Sequence, residues 1–91
     1  MPNPARAEAV ADGDDLVVTL AGRWRITGLL PGWRKVRGDR RPRAVSLRTE
    51  GLERWDSSLV RFVYEVQGWC GEAKIPCDTA ALPETVRRLV G

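Results

Sequence analysis

Ninety-one residues, 43% apolar and 30% charged, leave room for a single hydrophobic core and exclude both a second domain and wholesale disorder, so residues 1–91 are expected to form one domain. No apolar run approaches the roughly 20 residues that span a bilayer, and the opening MPNPARAEAVADGDD lacks the apolar centre of a signal peptide, which predicts a soluble cytoplasmic domain. The chain has no histidine, which removes the commonest general base, the usual catalytic triads and most zinc sites. Cys70 and Cys77 stand seven apart without CxxC spacing, so two reduced, packed thiols are expected and neither a metal nor a cofactor.

In chain order, ARAEAV, residues 5–10, alternates small apolar with polar side chains, and ADGDD, residues 11–15, has the composition of a hairpin turn. DLVVTL, residues 15–20, is rich in β-branched residues and bounded by DGD and AG, which predicts a strand. Leu29, Leu30, Trp33 and Val36 recur at helical spacing and predict a short helix with Pro31 and Gly32 in its first turn. RAVSLRTEG then has strand length and ends at Gly51, with LERW as a connecting loop. From Ser57, the positions Leu59, Phe62, Val63, Val66 and Cys70 form one apolar stripe of a helix of about 14 residues, flanked at its end by Gly68 and Gly71. AKIPCD predicts a further strand, with Pro76 placing it near an edge or at the strand's end. LPETVRRLV closes the chain as a helix with Pro83 at its first position, Glu84 in its first turn and Arg87 and Arg88 in its last, matching the helix dipole. The order β-β-α-β-α-β-α predicts an α/β fold whose sheet is mostly parallel after an N-terminal hairpin.

Two stretches carry the functional question. RWDSSLVRF, residues 54–62, places an acid and two hydroxyls directly ahead of the main helical stripe. Asp56 or Ser57 as a helix cap accounts for this composition, because a short side-chain oxygen satisfies one of the unpaired N–H groups of the first turn. The cap also falls at the C-terminal end of a strand, where open α/β sheets place their binding sites. A phosphate on Ser57 would meet the positive end of the helix and Arg61 one turn on, opposed by the charge of Asp56. Trp55 is either a hydrophobic staple ahead of the cap or a partner anchor. The second stretch, WRKVRGDRRPRAVSLR, holds seven cations and one acid. It reads either as a solvated face or, over residues 34–48, as a site for anionic lipid headgroups or an acidic protein surface. Trp33 is its only aromatic residue and no nucleic-acid motif surrounds it, so nucleic acid is not expected.

The order of elements together with GLERWDSSLVRFVYEVQGWC resembles the STAS domain, the fold of sulfate-transporter tails and bacterial anti-sigma-factor antagonists. In the antagonists the hydroxyl after the aspartate of a D-S-S-G-like motif is phosphorylated by a partner kinase, which corresponds to Ser57. Here Leu59 stands where that branch has glycine, and Gly22, Arg23 and Trp24 stand where it usually has acidic residues after the glycine. Trp24, WDSSLV and PETVRRLV are together most similar to the STAS domain fused ahead of Mla-type ABC transporter permeases, which are implicated in phospholipid or organic-solvent-tolerance transport.

That resemblance implies a non-catalytic regulatory domain on the cytoplasmic side of the bacterial inner membrane, in a chain continuing past Gly91. Its implied partners are the transporter's ATPase and permease subunits, and its implied contact residues are Trp55, Asp56, Ser57, Ser58, Leu59 and Arg61. The alternative implied by the other branch is a free-standing anti-sigma-factor antagonist phosphorylated at Ser57. A ligand-binding role toward nucleotides or lipids, as proposed for some STAS domains, is a further option. A small enzyme is disfavoured by the lack of histidine, metal cluster and phosphate loop.

Overall fold

The computed structural model describes residues 3–90; Gly91, where the continuation of the chain was expected, lies outside them. The elements are β1 (Arg6–Asp12), β2 (Asp15–Trp24), α1 (Trp33–Arg37), β3 (Ala44–Trp55), α2 (Ser57–Ala73), β4 (Cys77–Ala81) and α3 (Glu84–Val90), in the order expected. They form an α/β fold with one four-stranded mixed sheet in the order β1-β2-β3-β4. The β1–β2 pair is antiparallel, and β2–β3 and β3–β4 are parallel. Among the described residues no helix is long and apolar enough to cross a membrane.

Period-two alternation decides which side of the sheet is covered. Leu16, Val18 and Leu20 of β2 and Val45 and Leu47 of β3 are buried, while Val17, Thr19 and Ser46 between them are only half-buried. The buried set joins Trp33 of α1, the expected stripe of α2 and Val86 and Val90 of α3 in one cluster. The helices therefore cover one face of the sheet.

The hairpin turn is tighter than ADGDD suggests, because β1 and β2 pair out to Asp12 and Asp15 and leave Gly13 and Asp14 between them. Gly13 supplies the positive φ, 62°, that a two-residue hairpin turn requires. Both central strands run further than their glycines imply. β2 continues through Gly22 to Trp24 and β3 through Gly51 to Trp55, so LERW is strand rather than loop. The register shifts around Gly22 (φ 81°) and β3 bends at Gly51 (φ 71°), so these glycines accommodate irregular pairing instead of ending it. Beyond the shift, Arg23 pairs with Arg54 and Trp24 with Trp55.

The first helix is shorter than expected. It begins at Trp33, since Pro31 holds the preceding residue extended and Gly32 offers no side-chain cap. Leu29 and Leu30, expected on its apolar stripe, are exposed, at 94% and 40%. By contrast α2 runs for 17 residues, with Gly68 and Gly71 inside it. Its end is fixed at Lys74 in the left-handed conformation, with the Lys74 and Ile75 amides donating to the Cys70 carbonyl. That turn delays β4, whose ladder begins as the Val45 amide donates to the Pro76 carbonyl at 3.0 Å. AKI thus belongs to the end of α2 and the connection. Helix α3 starts after Pro83, carries an Arg88–Glu84 pair at 2.8 Å, and is tied to α2 by the Tyr64 hydroxyl donating to the Leu89 carbonyl at 2.6 Å.

Candidate functional site

Strands β2 and β3 end side by side at Trp24 and Trp55, and α2 starts two residues beyond Trp55. Asp56 is the cap. One carboxylate oxygen, Oδ1, accepts from the Ser58 amide at 2.8 Å, and the other, Oδ2, accepts from the Ile26 amide at 2.8 Å. Its own amide donates to the Trp24 carbonyl at 3.1 Å. One aspartate thus joins the helix N-terminus to the end of β2 and to the loop that follows it.

The Ser58 hydroxyl, the Ile26 and Ser58 amides and the nearby Arg25 guanidinium hold the Asp56 carboxyl below its ordinary value. Although the Ser58 hydroxyl faces the carboxylate closely enough to favour its charge, it does not reach hydrogen-bond geometry, and its Oγ is buried without a partner. A carboxyl with a depressed folded pKa stabilises the fold at pH values above its unfolded value, about 4, and that contribution disappears as pH falls through the folded pKa. Acid titration of the denaturation midpoint should therefore show a component below about pH 4 that Asp56→Asn lacks. Identical acid limbs in the two proteins would contradict the assignment.

The six residues expected to meet a partner separate by burial. Ser57 and Arg61 are exposed, Trp55 and Asp56 are half-buried, and Trp55 packs against the core cluster. Ser58 is 3% exposed and Leu59 is fully buried, so neither can offer its side chain to a protein surface. Leu59 belongs to the core because it opens the apolar stripe of α2.

Neighbours that the periodicity assigned to the first helix instead complete the surface. Leu30 and Pro31 line a cleft of about 270 Å³ with Trp24, Ser58, Arg61, Phe62 and Glu65. Ile26, bonded through its amide to Asp56, is 60% exposed. The signal was present in RITGLLPGW, where Pro31 and Gly32 oppose a helix and therefore release the preceding leucines from an apolar stripe. The arrangement offers aliphatic side chains, a hydroxyl and a guanidinium at one end of the sheet, a composition suited to contact with a protein.

The chain's other candidate groups lie elsewhere. Cys70 is buried, Cys77 half-buried, and both are free thiols. Burial, and then the proximity of Cys77, pushes the Cys70 pKa up to about 12, and burial also raises that of Cys77. Among the described residues no group of three or more Cys, Asp or Glu side chains is arranged to hold a metal ion. Within the basic segment Arg43 pairs with Asp14 at 3.6 Å and Arg48 with Glu50 at 3.3 Å. Comparison of the chain with protein-family models, with curated proteins and with solved structures gives no match in any of the three.

Proposed function

We propose that this chain is a non-catalytic STAS-like interaction domain that regulates an ABC-type phospholipid transporter, docking on the ATPase or permease subunit at the cytoplasmic face of the bacterial membrane. The element order and WDSSLV at the β3–α2 junction support the family reading. The observation that carries the docking role is the exposure of Ile26, Leu29 and Leu30 in the loop that Asp56 ties to the start of α2. Leu30 and Pro31 beside Arg61 and Glu65, with exposed Ile26 bonded through its amide to Asp56, give an apolar centre with a polar rim, the composition of a protein interface.

Leu30→Asp and Ser57→Glu should each weaken binding to the cognate ATPase or permease subunit by about tenfold or more, and Trp55→Ala by a smaller factor, because its ring is partly packed against the core. Calorimetric titration of the purified subunits reads the affinities, with circular dichroism confirming that the variants fold. Unchanged affinity in all three would remove this face as the interface.

A second reading rests on Ser57 alone. Its hydroxyl is exposed while that of Ser58 is buried, which leaves one phosphoacceptor at the cap, as a free-standing anti-sigma-factor antagonist requires. Incubation with a cognate anti-sigma kinase and ATP, followed by mass spectrometry, should then place one phosphate on Ser57. Its absence would exclude that reading and leave the docking role standing.

A further inference from the structure

Helix α1 and the turn after it present a second concave site, far from the proposed docking face. Arg37, Arg40 and Arg41 line a cleft of about 430 Å³ with Asp39 and Trp69. Trp69 lies 12 residues after Ser57 in α2, a separation of about 18 Å along the helix axis. Three cations and one carboxylate leave the lining with a net charge of about +2. Among the described residues none of these three arginines forms a salt bridge, in contrast to Arg43 and Arg48 further along the same segment.

The cleft is partly organised without an occupant. The Arg37 guanidinium lies 5.0 Å from the centroid of the Trp69 ring, and its Nη1 donates to the Gly38 carbonyl at 3.0 Å. Its Nε is buried with no acceptor. Arg40 donates through Nη1 to the Val36 carbonyl at 3.3 Å, while the exposed Arg41 has no protein acceptor among the described residues. Trp69 is itself fixed edge-on against buried Trp33, their centroids 5.7 Å apart. One guanidinium is therefore held on an aromatic ring, and two others on the same rim keep donors free.

From this geometry we infer that the cleft binds a phosphomonoester, with Arg37 and Arg40 as the held donors and Arg41 as the closing one. A phosphomonoester suits the cleft better than a carboxylate. It carries a charge close to −2 and three terminal oxygens, so three guanidiniums can each take an oxygen, whereas a carboxylate offers two oxygens and one charge. Asp39 opposes the anion and sets a limit on affinity. The same chemistry is found on a soluble phosphate ester and on a phosphatidic acid headgroup, and the site depends on neither the docking face nor the family reading.

The test uses the full chain at about 0.15 M salt, where diffuse attraction is screened beyond about 8 Å. Inorganic phosphate, followed by calorimetry, probes the soluble source. Vesicles of phosphatidylcholine with and without phosphatidic acid, followed by co-sedimentation, probe the lipid source. The wild type is expected to bind at least one of these, and Arg40→Gln/Arg41→Gln to lose about tenfold in affinity. The charge-matched pair Arg34→Gln/Lys35→Gln, on α1 but outside the cleft, should lose no more than about twofold. Inorganic phosphate binding alone assigns a soluble ligand, and vesicle binding alone assigns the headgroup. Failure to bind either probe, or equal losses in the two pairs, would overturn the site.

Discussion

Phe62→Ala is expected to cost about 3–5 kcal/mol, a large part of the 5–15 kcal/mol that holds a domain of this kind together. Phe62 is 4% exposed, and its ring lies 5.2 Å from that of Trp24 and 6.2 Å from that of Trp33, centroid to centroid. Deleting it removes the ring that joins the end of β2, helix α1 and α2 into one layer. The two flanking indoles cannot close the space by rotation, because Trp24 is bonded through Nε1 to the Ala21 carbonyl at 3.1 Å and Trp33 is already packed edge-on to Trp69. Urea denaturation followed by circular dichroism measures the loss. Leu89→Ala, at a side chain 54% exposed on α3, should stay within about 0.5 kcal/mol of wild type. A Phe62→Ala cost below about 1 kcal/mol would mean that the aromatic layer is not the keystone described here.

Gly22→Ala should cost about 2–5 kcal/mol, from left-handed backbone strain of about 1–2 kcal/mol together with a steric cost of about 1–3 kcal/mol. Gly22 has φ 81°, and a Cβ placed there would run into the Pro4 carbonyl oxygen and come within 2.8 Å of its carbon. The chain before β1 lies across β2 here, with the Arg23 amide donating to the Asn3 carbonyl at 3.0 Å and the Asn3 amide group to Glu53 at 3.0 Å. The two costs are separable. In a chain beginning at Ala5 the obstructing carbonyl is gone, and the same substitution should cost only the backbone strain, about 1–2 kcal/mol. Denaturation of the four proteins forms a double-mutant cycle. An equal cost in both backgrounds would show that the approach of Pro4 contributes nothing.

Both predictions fall on residues that a linear reading treats differently. The stripe of Leu59, Phe62, Val63, Val66 and Cys70 is legible because helical period and burial follow one rule, and all five are buried. Strand identities follow in the same way from Leu16, Val18 and Leu20. Gly22 and Gly51 were not legible as bulge positions, since whether a glycine ends a strand or bends it is decided by the neighbouring strand. Leu29 and Leu30 matched a helical period that Pro31 prevents from forming. Trp69 lies at the margin of the stripe of α2 and is held by Trp33 and Arg37, residues whose positions depend on where α1 is placed. At the candidate site the cap could be read from Asp56 and its hydroxyl neighbours. The assignment of Ser57 to solvent and Ser58 to the interior could not, because adjacent helical positions turn by about 100° and the inward direction depends on the sheet beneath.

The state of Cys70 gives this fold an internal clock. Only the thiolate attacks an alkylating reagent, and a thiol whose pKa is pushed up to about 12 on the buried face of α2 has almost none at neutral pH while the chain stays closed. Opening restores both ordinary acidity and access, so its labelling by iodoacetamide proceeds through the opened molecule and follows the population of that state. Cys77, half-buried at the start of the edge strand β4, is released by the smaller event of that strand detaching. The ratio of the two labelling rates therefore separates fraying of the sheet edge from loss of the core, within a single unmodified chain.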